Sequence, residues 1–207
     1  MTQNLALGST TAALTLTPSD SNITSGSFTI PTSAVQTSGS TSWGDASNSG
    51  NAKHVYATGN DTYGNYYNWY TATAGTGKGT MSSTSASSLT NATDSICPKG
   101  WRLPDGGTSA TKSWYALDKA LGGTGANRAD TTQRDKFISS PYNFPYSGYY
   151  NYGGGVYNQG SVGYWWSRSA FTTAGQAYRF ILNTNGLVYP QVDGDVGYGF
   201  AVRCVAE

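Results

Sequence analysis

The chain has two cysteines, Cys97 and Cys204, which lie 107 positions apart. Neither belongs to a C-x-x-C motif and no histidine lies near them, which argues against a zinc site or a thioredoxin-like redox site. A structural disulfide is the preferred interpretation, and two buried free thiols are the alternative. In the chain-entropy model, closing a loop of this length contributes roughly 4 to 5 kcal/mol. The bond requires an oxidising compartment.

The chain as a whole has few charged residues and many aromatic residues. Charged residues make up 11% of the 207 residues and aromatic residues 14%, with 16 Tyr and 6 Trp. So many rings supply a large apolar core, which predicts a folded chain despite its abundant Ser, Thr and Gly. The formal charge of +1 provides no basic field for a phosphate backbone, so nucleic acid is not an expected partner. Apolar runs are far shorter than the ~18 residues of a membrane span, so direct membrane insertion is not expected.

Strand-like segments flank a central helical region. Before residue 50, short apolar pieces alternate with Ser, Thr, Gly and Asn, which predicts short strands or extended loops. The rings between residues 63 and 70 are expected in the core, followed by a packed surface loop. In the segment 108–123, Trp114, Leu117 and Leu121 recur at helical spacing. This first helix is expected to have a Ser or Thr N-cap and to stop at Gly122.

A second helix is expected to begin at Asp130 or Thr131 and to end before Pro141. Alternating strands follow, and Asn185-Gly186 predicts a hairpin turn. Strands, then helices, then strands predict a single α+β domain over residues 1–207.

The sequence features that would indicate nucleotide binding, calcium binding or Ser-His-Asp catalysis are incomplete. ATAGTGKGT lacks the first glycine and the final Ser or Thr of a phosphate loop. Asp193 and Asp195 in DGDVG lack the further acidic residues of a calcium loop, so at most a weak, incidental ion site is left open. His54 is the one histidine and would have to carry any Ser-His-Asp chemistry alone. The chain is therefore expected not to be an enzyme and to need no cofactor or metal.

The stretch from Tyr189 to Val205, YPQVDGDVGYGFAVRCV, combines two kinds of sequence. Glycines and aspartates predict a loop over 191–198, and the following residues predict the strand that carries Cys204. The loop is interpreted as a display surface and the strand as its support. Tyr, Ser, Gly and Asn, which dominate this chain, are also typical of antibody-type binding loops.

Three segments, ICPKGWRLPDGG, GYWWSRS and GFAVRCV, resemble in this order the Fibrobacter succinogenes major paralogous domain family. The resemblance implies the C-type-lectin-like fold, with two helices packed on small antiparallel sheets and many loops. It covers most of the chain, with a loop-rich part at 1–90 and the best-matching core at 91–207. MTQNLAL matches a family segment that is normally preceded by further residues. An N-terminally truncated domain is therefore expected, with Met1 inside it and any signal or anchor outside this chain.

The same motifs are similar to two other groups with this fold, the formylglycine-generating enzymes and the variable proteins of diversity-generating retroelements. The enzymes need a redox cysteine pair at their cleft, whereas Cys97 and Cys204 occupy positions that look structural. Calcium-dependent lectins use E-P-N or Q-P-D and a later W-N-D, and YPQVDGD matches neither. The resemblance therefore implies binding without catalysis.

In retroelement-linked relatives, diversification falls on loops equivalent to YSGYYNYGGGVYNQG and PQVDGDVGYG. Adenine replacement turns Asn codons into codons for Tyr, Asp, Gly, Val or Ser, and a fixed loop rich in Tyr and Gly is the alternative. Three valines, Val156, Val192 and Val196, belong to the reachable set, as do most of the predicted ligand-binding residues. The predicted ligand-binding residues are Tyr149, Tyr150, Asn151, Tyr152, Tyr157, Trp166, Tyr189, Asp193, Asp195 and Tyr198.

Other aromatic and charged residues are assigned to structure. Of Trp165 and Trp166, one is expected in the core and the other nearer the surface, because adjacent strand residues face opposite sides. Trp101 and Arg203 are expected to support the fold beside the cysteines.

Together these features predict a non-enzymatic extracellular or cell-surface module that binds a protein or glycan through its C-terminal third. A structural subunit of a surface fibre or layer is the alternative, because low charge and abundant Ser, Thr and Gly suit a self-assembled lattice. An enzyme is the third hypothesis.

Overall fold

A computed structural model describes residues 1–8, 12–31, 35–37, 54–56, 63–77, 89–151 and 154–207, with backbone only for 35–37 and 54–56. The described helices are α1 (Trp69–Ala72), α2 (Ser113–Ala120) and α3 (Thr131–Ile138). The described strands are β1 (Leu14–Leu16), β2 (Ser21–Asn22), β3 (Phe28–Ile30), β4 (Val35–Thr37), β5 (His54–Tyr56), β6 (Tyr66–Tyr67), β7 (Ser95–Pro98), β8 (Trp101–Arg102), β9 (Arg128–Ala129), β10 (Tyr149–Tyr150), β11 (Val156–Tyr157), β12 (Val162–Ala170), β13 (Gln176–Asn183), β14 (Leu187–Asp195) and β15 (Val205–Ala206). Short helices and small sheets confirm the predicted α+β class.

The largest described sheet has the antiparallel order β12-β13-β14-β9. The other described strands form the pairs β1-β3, β2-β7, β8-β15 and β10-β11 and the three-stranded sheet β4-β5-β6. In that small sheet β4 and β5 run parallel, which departs from the antiparallel sheets that the resemblance implied.

The turn between β13 and β14 confirms the predicted hairpin. Gly186 has a φ of 89°, a conformation that suits glycine. The Asn183 side chain closes the turn by accepting a hydrogen bond from the Leu187 backbone N–H at 2.8 Å.

The predicted loop at 191–198 is wrong for most of its length, because β14 continues to Asp195. Gly194 lies opposite Ala177 in the register with β13. A Cβ at Gly194 would lie 2.8 Å from Arg179 Cδ and 2.9 Å from Phe200 Cε2. The glycine therefore marks close packing inside a strand, and pairing with β13 overrides the low strand propensity of the aspartates and glycine.

The two predicted helices are confirmed, although the cap of the first is not. Lys112 occupies the N-cap position of α2 and makes no side-chain cap bond. Ser113 Oγ instead accepts a hydrogen bond from the Asp105 backbone N–H at 3.0 Å, and Gly122 ends the helix with a φ of 87°. In α3, Asp130 caps the helix by accepting from the Gln133 N–H at 2.9 Å.

The four-residue helix α1 was not predicted, because four residues cannot show a helical period. Asn68 caps it by accepting from the Thr71 N–H at 3.0 Å. None of the helices in the described part of the chain is long and apolar enough to span a membrane.

Neighbouring tryptophans of β12 belong to two different cores. Trp165 packs with the rings beneath α2 and α3, and Trp166 packs with Phe200 and the disulfide. Both indoles are 0% exposed. The prediction that one would lie nearer the surface is therefore wrong: alternation sends the rings to opposite faces, and both faces are covered.

The N-terminal half contributes to the same packing. The rings of Tyr66, Tyr67 and Trp69 are buried, which confirms that part of the predicted core. The surface loop predicted after them lies largely at 78–88, outside the described residues.

The predicted disulfide is confirmed. Cys97 in β7 and Cys204 before β15 are bonded, with their Cα atoms 5.9 Å apart. The first residues of the chain lie against this region, since Leu5 N–H donates to Val202 O at 2.8 Å. Arg203 is buried with its guanidinium carbon 4.0 Å from the centroid of the Phe144 ring, in line with its structural assignment. Trp101 is half-buried and packs against the core that contains Trp166 and the disulfide.

Both edges of the four-stranded sheet are largely covered. Backbone segments at Gly148, Ala201 and Pro104 bond to the outer edge of β12. On the opposite edge of the sheet, β9 pairs with the start of β14. The Asn127 side chain then forms two hydrogen bonds with the backbone of β14, as a neighbouring strand would. Its Nδ2 donates to Gln191 O at 3.2 Å and its Oδ1 accepts from Gln191 N–H at 3.1 Å. Among the described residues, no hydrogen bond from another segment reaches 192–194 on this edge.

Candidate functional site

A short hairpin, β10-β11, carries two of the predicted residues at the surface. Tyr149 lies directly opposite Tyr157 in its register. The hairpin is held from both sides: Gly148 N–H donates to Val162 O at 2.7 Å, and Tyr150 exchanges two backbone hydrogen bonds of 2.8 Å with Gly199. Its tyrosines are therefore fixed relative to β12 and to the turn after β14.

Gly148 allows this close approach. Its φ is 70°, and a Cβ there would lie 2.4 Å from the backbone oxygen of Tyr157 and 2.7 Å from the backbone nitrogen of Gln159. Because both contacts are with backbone, no side-chain movement could relieve them.

Four tyrosine rings meet beside this hairpin, and we call them the aromatic face: Tyr149, Tyr157, Tyr164 and Tyr198. The Tyr149 ring is central, with centroid distances of 5.7 Å to Tyr157, 5.3 Å to Tyr164 and 5.4 Å to Tyr198. The buried Phe200 ring lies beneath, 5.3 Å from Tyr164 and 6.0 Å from Tyr198. Tyr157 is 49% exposed and the other three rings are half-buried, so the aromatic face combines rigidity with access.

Arg179 of β13 lies next to these rings. Its guanidinium carbon is 5.1 Å from the Tyr164 centroid and 4.9 Å from the Phe200 centroid. Among the described residues its Nε is buried without a hydrogen-bond partner, and the guanidinium has no carboxylate within ion-pair distance. Burial lowers the pKa of Arg179, and the nearby tyrosines and Asp193 oppose that shift.

The aspartates of β14 lie on the opposite face of the sheet from Arg179. Arg179 lies opposite Val192, whereas Asp193 lies opposite Tyr178 and Asp195 opposite Gln176. Because side chains alternate between faces, the two carboxylates leave the strand on the other side. Burial raises the pKa of Asp195, and the Gly197 backbone N–H, at 3.3 Å from its Oδ1, opposes the shift.

Three further predicted ligand-binding residues are not among the four rings of the aromatic face: Tyr189, Asn151 and Tyr152. Tyr189 lies opposite Ile181, in the row of the sheet that also contains Tyr164, so it extends the same side. Asn151 is half-buried at the hairpin, where its N–H donates to Gly155 O at 3.0 Å. Tyr152 lies outside the described residues.

Two predicted ligand-binding residues belong to the core. Tyr150 and Trp166 are 0% exposed, and Trp166 Nε1 donates to Tyr67 O at 2.7 Å. Burial raises the pKa of Tyr150. A ligand on the surface cannot touch either side chain, so both are corrected to structural roles.

The structure adds Tyr164 and Arg179 to the predicted set. Both lie in segments predicted as alternating strands, and Tyr164 has the same parity as Trp166. A single arginine in the apolar strand AYRFIL was the available signal, because an isolated charge on a half-buried strand needs a partner.

The aromatic face provides ring surfaces, hydroxyl groups and one guanidinium, which suit noncovalent recognition. In the described part of the chain, no three His, Cys, Asp or Glu side chains are grouped to hold a metal ion. The side chain of His54 lies outside the described residues.

Comparison with known proteins places the aromatic face inside a recognised domain. A family model described as the Fibrobacter succinogenes major domain matches residues 30–206. No curated protein and no solved structure matches the chain.

Proposed function

The chain belongs to the Fibrobacter succinogenes major domain family, and from that premise we propose that it is a non-enzymatic module that binds a ligand on the aromatic face. We also propose that its α+β arrangement is the C-type-lectin-like fold that the sequence resemblance implies. One observation carries the functional proposal: four tyrosine rings converge at the surface beside an arginine that, within the described part of the chain, has no carboxylate partner.

Two physical arguments support binding at this surface. Tyrosines supply a large contact area at low conformational cost, and these rings already contact one another before a ligand arrives. Among the described residues the Arg179 guanidinium has no carboxylate partner, so a ligand that supplies an acceptor to its N–H groups gains a charged hydrogen bond.

An extracellular or cell-surface location is part of the proposal. The Cys97–Cys204 disulfide supports it, because such bonds persist in oxidising compartments.

Diversification of the face, as in retroelement-linked relatives, is a further part of the proposal, and the structure sharpens its test. The codons of Tyr149, Tyr157 and Tyr198 would vary across a natural population of the gene. The codons of Tyr150 and Val196 would not, because both side chains are buried. Sequencing the gene codon by codon across such a population measures this, and variation spread evenly over buried and exposed codons contradicts it.

A ligand screen tests the binding function directly. The purified chain, the Tyr157→Ala variant and the Tyr115→Ala variant are compared on panels of proteins and glycans. Each lost ring contact is worth about 0.5 to 1.5 kcal/mol, so Tyr157→Ala is expected to weaken binding several-fold. Tyr115 is half-buried on α2 and is not one of the four rings of the aromatic face, so its substitution controls for the loss of a tyrosine.

The alternative hypothesis predicts a different result. A fibre or layer subunit would assemble with itself, and light scattering of the purified chain measures this. The proposed function is contradicted if the chain assembles with itself and the screen finds no ligand whose binding is weakened by Tyr157→Ala.

A further inference from the structure

The arginines of the chain differ in whether a carboxylate of the described residues lies within ion-pair distance. Four of them, Arg102, Arg128, Arg134 and Arg168, lie within ion-pair distance of a carboxylate. Arg203 is buried inside the protein, where it donates to Asn143 O at 3.3 Å. Arg179 is the half-buried arginine that has no carboxylate partner among the described residues, and it is also the one beside the aromatic face.

The stem of Arg179 is fixed by packing. Its Cδ approaches the site where Gly194 lacks a side chain, and its guanidinium carbon lies about equally far from two rings, at 5.1 Å and 4.9 Å. A guanidinium held in this way offers a fork of N–H donors that matches a carboxylate in geometry and charge. The aspartates of the neighbouring strand leave the sheet on its other side and do not occupy that fork.

We infer that the ligand is an acidic polysaccharide, and that one of its uronic acid residues places its carboxylate on Arg179 while its ring stacks on the aromatic face. This inference rests on the proposed function and names its ligand class. A pyranose ring has flat C–H faces that pack on tyrosine rings, and in a uronic acid the carboxylate is attached directly to that ring. Arg179 lies over the Tyr164 ring, with its guanidinium carbon 5.1 Å from the centroid, so a sugar residue whose carboxylate reaches the arginine lies beside the aromatic face.

An acidic peptide satisfies the same charge but fits the sheet poorly. Extended peptides bind by adding a strand to an open sheet edge. In the four-stranded sheet, the described edges are bonded to other segments along much of their length, and the open stretch of β14 carries Asp193 and Asp195. These carboxylates would repel a peptide rich in Asp or Glu.

The test compares polygalacturonate with its fully methyl-esterified form by titration calorimetry on the wild-type chain. The two polymers share one backbone and differ in the carboxylate. We expect binding to the acidic polymer and at least about 10-fold weaker binding to the ester, since a charged hydrogen bond contributes roughly 1.5 to 3 kcal/mol. Equal binding to both forms overturns the inference while leaving the proposed function intact.

Variants test the role of Arg179 itself. Arg179→Gln is expected to weaken binding of polygalacturonate roughly 10- to 100-fold. Arg179→Lys is expected to recover part of the loss, because it keeps the charge and loses the fork. Lys99→Gln removes the same charge from an exposed turn and is expected to bind like the wild type. If Lys99→Gln weakens binding as much as Arg179→Gln, the attraction is nonspecific and the assignment is wrong.

Two further outcomes separate the inference from its premise. Binding of polyglutamate as tight as that of polygalacturonate overturns the sugar assignment. Failure of polygalacturonate and alginate to bind, together with a Tyr157-dependent ligand in the screen, overturns the acidic polysaccharide and keeps the binding face. Failure of both experiments removes the proposed function as well.

Discussion

The hydroxyl of Tyr66 shows how one buried polar atom affects stability. It donates to Ser147 O and accepts from Gln159 Nε2 at 3.0 Å, and thereby joins β6 to the residues on either side of the β10-β11 hairpin. Burial raises the pKa of Tyr66 from 10.0 to about 12, although the bond from Gln159 opposes the shift. The folded state therefore favours the neutral phenol.

This shift predicts a loss of stability in alkali. The contribution of Tyr66 is complete below pH 10, where the unfolded phenol is still protonated, and is lost as the pH rises through about 12. Urea unfolding across this range should show a smaller alkaline loss for Tyr66→Phe than for the wild type. Below pH 10 the variant should be less stable by about 1 to 3 kcal/mol, because Ser147 O and Gln159 lose their partner. Parallel pH curves for the two proteins contradict the assignment.

Two aromatic residues predicted as ligand contacts should behave oppositely when truncated. Trp166→Ala should lower the free energy of unfolding by about 3 to 5 kcal/mol, because it empties a site inside the core. Tyr157→Ala should change it by no more than about 1 kcal/mol, because its ring is 49% exposed. Chemical denaturation measures both, and a severe loss for Tyr157→Ala would assign that ring to the core.

Strand alternation explains only part of the arrangement of the two tryptophans in β12. Alternation correctly sends Trp165 and Trp166 to opposite faces of β12. It cannot show that both faces are covered, because the cover comes from α2 and α3 on one side and from residues far away in the chain on the other. Trp166 was therefore predicted as a contact residue and lies in the core, whereas Arg179 was missed.

Among the secondary-structure elements, the β10-β11 hairpin depends on one glycine. Gly148→Ala should destabilise the protein more than Gly160→Ala, although both positions have a positive φ, 70° and 80°. Each substitution costs about 1 to 2 kcal/mol for the backbone conformation. Only Gly148→Ala adds a clash with the backbone of β11, since nothing lies within 4 Å of a Cβ at Gly160.

Thermal unfolding of both glycine variants measures the difference. Gly148→Ala should also weaken any ligand of the aromatic face, because Tyr149 moves with the hairpin. Equal melting temperatures for the two variants would show that the hairpin accommodates the added Cβ at position 148 without an additional loss of stability.

The outer edge of β14 depends on the Asn127 side chain. Asn127→Ala removes both hydrogen bonds to the Gln191 backbone and should cost about 1 to 2 kcal/mol. Hydrogen exchange should accelerate at the Gln191 amide and stay unchanged along β13, which is paired on both sides. An unchanged rate at Gln191 would show that another group protects this edge.

The strands also explain why β14 was predicted only in part. The sequence LVYP has strand propensity, and QVDGD has turn propensity. The outcome depends on pairing with β13 and on the contact of Gly194 with Arg179, and both involve residues distant from QVDGD in sequence. The Asn185-Gly186 turn and the Asp130 cap were predictable because their signals are local.

At the scale of the whole molecule, the disulfide restricts the unfolded chain. Reducing it, or making the Cys97→Ala and Cys204→Ala double variant, should lower the free energy of unfolding by roughly 4 to 5 kcal/mol. Urea titrations with and without a reductant measure this loss, and the double variant should not respond to the reductant. A wild-type chain with equal stability in both titrations would contradict a structural role for the bond.

The position of this bond also has a mechanical consequence. Suppose tension is applied between a point before Cys97 and a point after Cys204. The force then passes through the sulfur bridge, and residues 98–203 carry none of it. That shielded segment contains every residue of the aromatic face and Arg179. Pulling can therefore load the chain before Cys97 without drawing out the backbone between the two cysteines while the bond is intact.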